Sequence, residues 1–245
     1  MNLNNGLIHS LTFTSATQAT VTVMVFLFIS VVAAYLLGSI NSAIIVSKIL
    51  YKDDIRRHGS GNAGLTNTLR TYGKGAAALV LVGDMLKTAI SIFIAGFLLG
   101  FNYKFGMSFN EGWCYIAALA SVVGHIFPVY YGFKGGKGVL STSTAALILT
   151  PYVFLILLVL FVTVVALSKY VSLGSVSAAL LYPVAVSAQV KLCFTVMPGL
   201  IAASTIALAL IIVWCHRGNL QRISDRTERK ISFKKKDVEV QGEGK

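Results

Sequence analysis

Acidic residues are scarce in this sequence, and long apolar stretches run without any charge. Asp and Glu number 9 against 21 Lys and Arg, and charged residues make up 12% of the chain while hydrophobic residues make up 56%. Residues 1–47 contain no Asp, Glu, Lys or Arg. Because about a quarter of an ordinary soluble domain is charged, this composition excludes a soluble globular domain and is typical of a polytopic membrane protein.

Cysteine and histidine are also few, and neither is spaced for a metal site or a disulfide framework. The three cysteines lie in or beside apolar segments, without a Cys-x-x-Cys pair: Cys114, Cys193 and Cys215. The four histidines are scattered, without His-Glu-x-x-His spacing: His9, His58, His125 and His216. The cysteines therefore predict small core residues, and the sequence predicts neither a bound metal nor a cofactor.

The basic excess gives a formal net charge of +12, spread over the loops and the C-terminal tail. No basic patch with stacking aromatics is present, so the sequence excludes nucleic acid as a partner. The same distribution predicts cytoplasmic loops that are attracted to anionic membrane lipid.

Seven apolar segments predict an all-α membrane protein. They are residues 21–37, 75–100, 113–131, 139–150, 152–167, 171–190 and 197–215. The fourth is about 18 Å long if helical, too short for a comfortable span, so it is either a thin helix inside the bundle or a re-entrant one.

The count of spans fixes the orientation of the termini. Seven spans place the N-terminus outside and the tail, with every basic loop, on the cytoplasmic side, which the distribution of Lys and Arg favours. Six spans and a re-entrant segment would place the tail on the opposite side. Within the second segment, Asp84 and Lys87 lie three residues apart and are expected to pair, while Pro128 is expected to kink the third.

A single transmembrane domain is expected over residues 19–216. An N-terminal extension of residues 1–18 precedes it, and a basic cytoplasmic tail of residues 217–245 follows it. The start lacks the basic region of a cleaved signal peptide, so the first segment is interpreted as a retained helix. Gly218 and the run after Ser232, with Lys234, Lys235 and Lys236, are expected to form a frayed, lipid-facing end.

The stretch 59–70, here called the first loop, has the composition of an anion site. It combines glycines with short polar side chains and one fixed cation: Gly59, Ser60, Gly61, Asn62, Gly64, Thr66, Asn67 and Arg70. Glycines let the backbone approach a ligand closely, and amides at a helix start favour an anion.

Two further polar segments are predicted on the same membrane face. The second loop, residues 132–138, has four glycines around two lysines, but Tyr131 and Gly138 break the phosphate-loop pattern of nucleotide hydrolases. It is either a phosphate-binding turn or a plain basic turn. His216 and Asn219 share a helix face, either as ligand contacts or as an interfacial cluster.

The three segments together predict a site for small phosphorylated compounds. Three classes of function are compatible with such a site: an enzyme, a transporter of phosphorylated metabolites, and a lipid-binding scaffold without chemistry. No internal repeat supports the transporter.

The sequence resembles the bacterial integral-membrane acyl-phosphate:glycerol-3-phosphate acyltransferases. The resemblance rests on residues 37–40, 57–74, 124–128, 135–139 and 216–219, with Arg222 and Glu228. It implies a seven-helix enzyme of the bacterial inner membrane that moves a fatty acyl group from acyl phosphate to the 1-hydroxyl of sn-glycerol 3-phosphate. The products would be lysophosphatidic acid and phosphate, and the resemblance also implies a soluble acyl-phosphate synthase as a partner.

The resemblance also implies the site residues, without metal or cofactor. The catalytic residues would be Ser60, Arg70, Lys137, His216 and Asn219. The substrate-binding residues would be Gly59, Gly61, Asn62, Gly64, Thr66, Asn67, Gly135, Gly136 and Gly138. The hydroxyl proton would pass either to a substrate phosphate or to His216 as a base.

Three positions depart from the family pattern. Asn41 stands where proline is common, and Thr88 and Arg226 stand where glycine is usual. These departures are expected to alter the packing of the first two segments and the bend of the tail.

Overall fold

The computed structural model describes residues 7–231 except 101, 105, 106, 110 and 194–196. The expectations for residues 1–6 and 232–245, at the two ends of the chain, lie outside the described residues. So does the expectation for the side chain of Cys193.

Eight α-helices build most of the described chain. They are α1 (Ala16–Gly38), α2 (Ser42–Tyr51), α3 (Leu65–Leu99), α4 (Glu111–Ile126), α5 (Val139–Leu149), α6 (Pro151–Ser168), α7 (Val171–Cys193) and α8 (Pro198–Ser224). A small antiparallel hairpin, β1 (Asn102–Lys104) with β2 (Met107–Phe109), joins α3 to α4. The predicted helical architecture is therefore confirmed, with this hairpin as a departure.

Six segments of the described chain are long and apolar enough to cross a membrane. They are Ala16–Tyr51, Leu65–Leu99, Gly112–Tyr131, Pro151–Ser168, Val171–Lys191 and Pro198–Ser224. Helix α5 has 11 residues, a length of about 16 Å, well short of a bilayer core of about 30 Å. The prediction of a multi-pass membrane protein is confirmed.

The crossing of α1 and α4 brings two backbones into direct contact. A Cβ built on Gly38 would lie 2.7 Å from Cα of Ser121, and one built on Gly124 would lie 2.9 Å from the backbone nitrogen of Ser39. Small residues let helices approach closely in a membrane, where burial of apolar surface contributes little to the free energy of helix association. The crossing packs the interruption between α1 and α2 against the end of α4, the helix that precedes the second loop.

Asn41 explains one departure from the family pattern. Its side-chain oxygen accepts a hydrogen bond from the backbone N–H of Ile44 at 3.1 Å, so it caps the N-terminus of α2. Its amide also donates to the carbonyl oxygen of Ala63 at 3.2 Å. The side chain therefore joins the start of α2 to the first loop, two tasks that proline lacks the atoms for.

Two sequence expectations about helix breaks are wrong. Pro128 does not kink a helix, because α4 ends at Ile126 and Pro128 only precedes the turn Val129–Tyr131. Proline disfavours helical geometry at the preceding residue, which ends the helix early. The chain does not fray at Gly218, since α8 continues to Ser224, and the run after Ser232 lies outside the described residues.

The tail folds back onto the bundle after α8. Backbone N–H groups of Thr227 and Glu228 donate to the carbonyl oxygen of Arg222, and that of Ile231 donates to Lys169 between α6 and α7. The turn passes through Arg226 at φ 58°, a left-handed conformation that favours glycine. The usual glycine of the family therefore matches the backbone geometry here, and Arg226 adopts it at a steric cost.

We predict that Gly124→Ala destabilises the protein in detergent by about 1–3 kcal/mol, the cost of overpacking, because the added methyl would meet the backbone of α1. Gly75→Ala is the matched control, since a Cβ there would meet nothing within 4 Å. The midpoint of thermal unfolding should fall only in the first variant. Equal midpoints would contradict the close crossing.

Candidate active site

One cavity of about 690 Å³ lies where the first loop, the second loop and the end of α8 meet. Its polar end is lined by side chains from these three segments. Its apolar end runs between α5, α6 and α7, and is lined among others by Leu140, Leu147, Phe154, Phe161 and Tyr182. A pocket of this size suits a ligand with one charged and one apolar part.

Asn67 organises the first loop from within. Its amide nitrogen lies 3.2, 2.9 and 3.0 Å from the carbonyl oxygens of Ile55, His58 and Asn62, and its oxygen accepts from the backbone N–H of Ser60 at 3.1 Å. Gly59, at φ 60°, leaves room for this oxygen, which an added Cβ would overlap. The loop is therefore built before any ligand arrives.

Ser60 and Arg70 stand at the exposed edge of the cavity. Arg70 lies on α3, five residues after the helix begins at Leu65, and α3 bends at Gly73, where φ is 83°. In the described part of the chain no carboxylate pairs with the Arg70 guanidinium. A fixed cation without a protein counterion is available to bind a phosphate.

Arg56, in the turn that precedes the first loop, holds the second loop. Its guanidinium donates to the carbonyl oxygens of Tyr131 at 2.9 Å and Lys134 at 3.3 Å, while it also grips the Asp54 carboxylate at 2.7–3.1 Å. These hydrogen bonds from Arg56 lower the pKa of Asp54 to about 2. The start of the second loop is therefore held by a partly buried ion pair that stays intact at neutral pH.

Gly135 and Gly136 pack against the end of α4. Their backbone N–H groups donate to the carbonyl oxygens of Ile126 at 3.1 Å and His125 at 3.0 Å. An added Cβ on either residue would overlap atoms of His125. These two glycines are needed for close packing, and neither lines the cavity.

Lys137, the next residue, turns into the cavity and contacts α8. Its ammonium donates to the side-chain oxygen of Asn219, whose amide in turn donates to Glu228 at 2.6 Å. Glu228 also accepts from Ser172 at 3.0 Å and from Arg222 at 2.8 Å. The chain of contacts joins the second loop, α7, α8 and the tail.

Burial and charge oppose each other along this chain. Burial lowers the pKa of Lys137, and the nearby Glu228 carboxylate acts against that shift. Burial would raise the pKa of Glu228, but hydrogen bonds from Asn219, Arg222 and Ser172 outweigh it and the pKa is lowered. Glu228 is therefore ionised at neutral pH and favours the charged form of Lys137.

His216 faces the cavity with a defined tautomer. Its Nδ1 lies 2.8 Å from the carbonyl oxygen of Ile212. A carbonyl only accepts, so Nδ1 carries the proton and Nε2 of the neutral ring keeps its lone pair. The side chain is 3% exposed and lines the cavity, so it offers a hydrogen-bond acceptor there.

The structure brings most of the sequence-predicted residues to this cavity. It is lined by Gly59, Ser60, Asn62, Gly64, Thr66, Asn67, Arg70, Lys137, Gly138, His216 and Asn219. Gly61, Gly135 and Gly136 are absent from the lining. No group of three or more His, Cys, Asp or Glu within the described ranges is arranged to hold a metal ion.

Sequence reasoning assigned no role to three contributors to the site, Glu228, Arg222 and Ser172. Glu228 and Arg222 were noted only as motif residues, although the turn after α8 carries Glu228 back to Asn219. Ser172 had no signal at all, because a serine near the start of an apolar helix is unremarkable in sequence. Its partner lies 56 residues away.

Comparisons with known proteins agree on one family. A family model described as glycerol-3-phosphate acyltransferase matches residues 28–226. The glycerol-3-phosphate acyltransferase of Clostridioides difficile (strain 630) is 41% identical over 209 residues, covering 83% of this chain and 95% of that protein. The protein of the same name from Halalkalibacterium halodurans is 38% identical over 206 residues, with coverages of 84% and 95%.

Two solved structures have a similar fold. Both are crystal structures of PlsY (YgiH), an integral membrane glycerol 3-phosphate acyltransferase. The glycerol 3-phosphate form has a TM-score of 0.70 at 32% identity, covering 84% of this chain and 96% of that one. The lysophosphatidic acid form has a TM-score of 0.68 at 30% identity, with coverages of 84% and 95%.

We predict that Glu228→Gln lowers the pKa of Lys137, because loss of the carboxylate removes an attraction that favours the ammonium. Lys137 should then lose its proton at a lower pH than in the wild type. The measurement is an NMR titration of protein labelled at the lysine Nζ, with Lys137→Arg used to assign the resonance.

Asp225→Asn is the control for this titration, since Asp225 lies in the same tail but pairs with Gln221. It should leave the Lys137 titration unchanged. A pKa of Lys137 that rises or stays constant in Glu228→Gln would contradict the coupling.

Proposed function

The chain belongs to the glycerol-3-phosphate acyltransferase family, and we propose that its cavity is where acyl transfer occurs. The protein is a bacterial membrane enzyme that transfers a fatty acyl group from acyl phosphate to the 1-hydroxyl of sn-glycerol 3-phosphate. The products are lysophosphatidic acid and phosphate. None of the comparisons supports the alternative of a transporter.

The main support for locating acyl transfer in this cavity is that its polar end is cationic and its other end is apolar. Arg70 and Lys137 come from segments 67 positions apart in the chain, yet both line it. The substrates have matching parts, because both carry phosphate and only the donor carries a long apolar chain. The apolar end between α5, α6 and α7 is the place for that chain.

Each polar residue has a role that its chemistry suits. Arg70 and Lys137 bind substrate phosphate, and Ser60 and Asn219 orient glycerol 3-phosphate by hydrogen bonds. Backbone amides of the first loop suit the phosphate of the donor and the oxyanion that forms at its carbonyl. Among the predicted substrate-binding residues, Gly61, Gly135 and Gly136 support the loops without lining the cavity.

Alignment and charge stabilisation supply most of the acceleration, because acyl phosphate is already activated. The 1-hydroxyl oxygen attacks the carbonyl carbon of acyl phosphate, and the bond from that carbon to the phosphate oxygen breaks. The hydroxyl proton passes to a phosphate oxygen, so the leaving group departs as hydrogen phosphate. Nε2 of His216 accepts a hydrogen bond from the attacking hydroxyl and orients it.

The proposed topology has seven crossings, with α5 as the short one. The N-terminus lies outside, and both loops and the tail lie on the cytoplasmic side of the inner membrane. Support comes from the basic residues that surround these segments, such as Lys48, Arg56, Lys134 and Arg222. A soluble enzyme that makes acyl phosphate would deliver the donor to this face.

The proposed domain limits follow the sequence. Residues 1–18 form an extension, 19–216 the acyltransferase domain and 217–245 the tail. Helix α1 itself begins at Ala16 and α8 ends at Ser224.

The test is purified protein in detergent, given palmitoyl phosphate and glycerol 3-phosphate with a metal chelator present. We predict release of phosphate and lysophosphatidate, and a loss of at least ~10²-fold in kcat/KM for Arg70→Ala or Lys137→Ala, the scale of losing a charged transition-state donor. Lys134→Ala, in the same loop as Lys137 but outside the cavity lining, is the control and should stay near wild type. No turnover by the wild type would refute the function, and equal rates for all variants would refute the site.

We further predict that His216→Gln keeps a measurable rate, reduced by less than ~10²-fold, the lower range for loss of a general base. The pH profile should also be unchanged, because the proton leaves with phosphate rather than through the imidazole. Steady-state rates from pH 6 to 9 check this. Abolished turnover with substrate binding intact would show instead that His216 is the base.

A further inference from the structure

A buried polar cluster under the second loop has no part in the mechanism so far. Lys87 on α3 pairs with Asp84 at 2.8 Å, which confirms the predicted ion pair. The ammonium also donates to the carbonyl oxygen of Ile40 at 2.8 Å and lies 2.9 Å from Nδ1 of His125. The three side chains are 1–5% exposed, so the cluster is shielded from water.

The geometry of Lys87 fixes the tautomer of His125. An ammonium has three protons and no lone pair. It forms an ion pair with the Asp84 carboxylate, donates to a carbonyl oxygen, and contacts Nδ1 of His125, where it can only donate. Nδ1 therefore accepts, and the ring proton of a neutral His125 must lie on Nε2.

The ring is kept neutral by the same contact. A proton on Nδ1 would point at the Lys87 ammonium, so the positive imidazolium is disfavoured. Asp84 is the other charge that faces the ring, 3.8 Å from Nδ1. The charge of its carboxylate is already balanced by Lys87, so it does little to stabilise an imidazolium. The ring therefore stays neutral and acts as a donor.

The Nε2–H group points toward the second loop. A Cβ built on Gly136 would overlap Nε2, so the nitrogen lies against the residue that precedes Lys137. His125 also lines the cavity that holds Lys137 and His216. Within the described ranges, Nε2 makes no hydrogen bond, whereas Nδ1 is bonded. A side chain that is 4% exposed and lines a polar cavity, with a donor nitrogen that has no protein partner, indicates a ligand that accepts.

We propose that His125 is a further substrate-contacting residue, whose Nε2–H donates a hydrogen bond to a phosphate oxygen bound at Lys137. Lys87 is its positioning residue, since it selects the tautomer that presents a proton to the cavity. The ligand chemistry is a phosphate group, from either glycerol 3-phosphate or acyl phosphate. The inference rests on the proposed function and adds a neutral donor to the two cations of the site.

Two substitutions at His125 separate a substrate contact from a structural one. The amide of asparagine overlays Nδ1, so His125→Asn keeps an acceptor for Lys87 but loses the donor at Nε2. The amide of glutamine overlays Nε2, so His125→Gln keeps that donor. Thermal unfolding of both variants shows whether each is folded.

Steady-state rates are measured with glycerol 3-phosphate and palmitoyl phosphate varied separately. We expect His125→Asn to raise the KM of one substrate at least ~10-fold, the scale of a hydrogen bond to a charged group, and His125→Gln to stay within ~3-fold of wild type. The substrate affected identifies the phosphate. The reverse order, or two variants equal to wild type, would overturn the contact.

NMR of wild-type protein with nitrogen-15 labelled histidine decides the case in which both variants lose activity. We expect His125 as the Nε2–H tautomer, with a resonance that moves when glycerol 3-phosphate or palmitoyl phosphate is added alone. A proton on Nδ1, or a resonance that neither substrate moves, would overturn the inference. Absence of turnover by the wild type would instead refute the proposed function. The two failures can be told apart, because the spectra do not depend on turnover.

Discussion

A phosphate group carries charge that the hydrocarbon of a bilayer does not accommodate, and a fatty acyl chain is poorly hydrated in water. A site that joins the two must therefore lie at the border between the membrane and water. The cavity meets this constraint, because its polar end is built by two loops and its apolar end by helices α5, α6 and α7. The short α5 begins at Val139, directly after the second loop, so the polar and apolar ends of the cavity are joined within a few residues of the chain.

The loops need a rigid frame, since a phosphate is recognised only by donors held at the right spacing. The frame begins where Gly38 and Gly124 let α1 and α4 touch through their backbones. Asn41 and Asn67 then fix the first loop, and Arg56, just before that loop, holds the start of the second loop. Most of these contacts are hydrogen bonds to backbone carbonyls, so the positions of the loops depend on few side chains.

The sequence predicted the parts that depend on local chemistry. Apolar runs identified the helices, and the composition of residues 59–70 identified a loop that opens a helix at Leu65. The spacing of His216 and Asn219 identified a shared face. The sequence could not distinguish glycines that bind a ligand from glycines that allow close packing. Gly135 and Gly136 have the composition of a phosphate-binding turn, but glycine is needed at both positions because His125 packs against them. Only the neighbour in space distinguishes those uses.

Other features depend on contacts between distant segments, which a single sequence does not encode locally. Pro128 was expected inside a helix, because nothing nearby indicated that α4 stops at Ile126. The turn through Arg226 that returns Glu228 to Asn219 had no local signal, since arginine is an unusual residue for a left-handed position. The departure at Asn41 is explained by its hydrogen bond to Ala63, which lies 22 residues away in the chain.

Acyl transfer as proposed requires two phosphate groups to bind side by side in one cavity at one membrane face. An experimental structure with glycerol 3-phosphate and a non-reactive acyl phosphate analogue tests it most directly. We expect both phosphates between Arg70 and Lys137, with the acyl chain between α5, α6 and α7. Phosphates found at separate sites, or an acyl chain outside that apolar region, would contradict the claim.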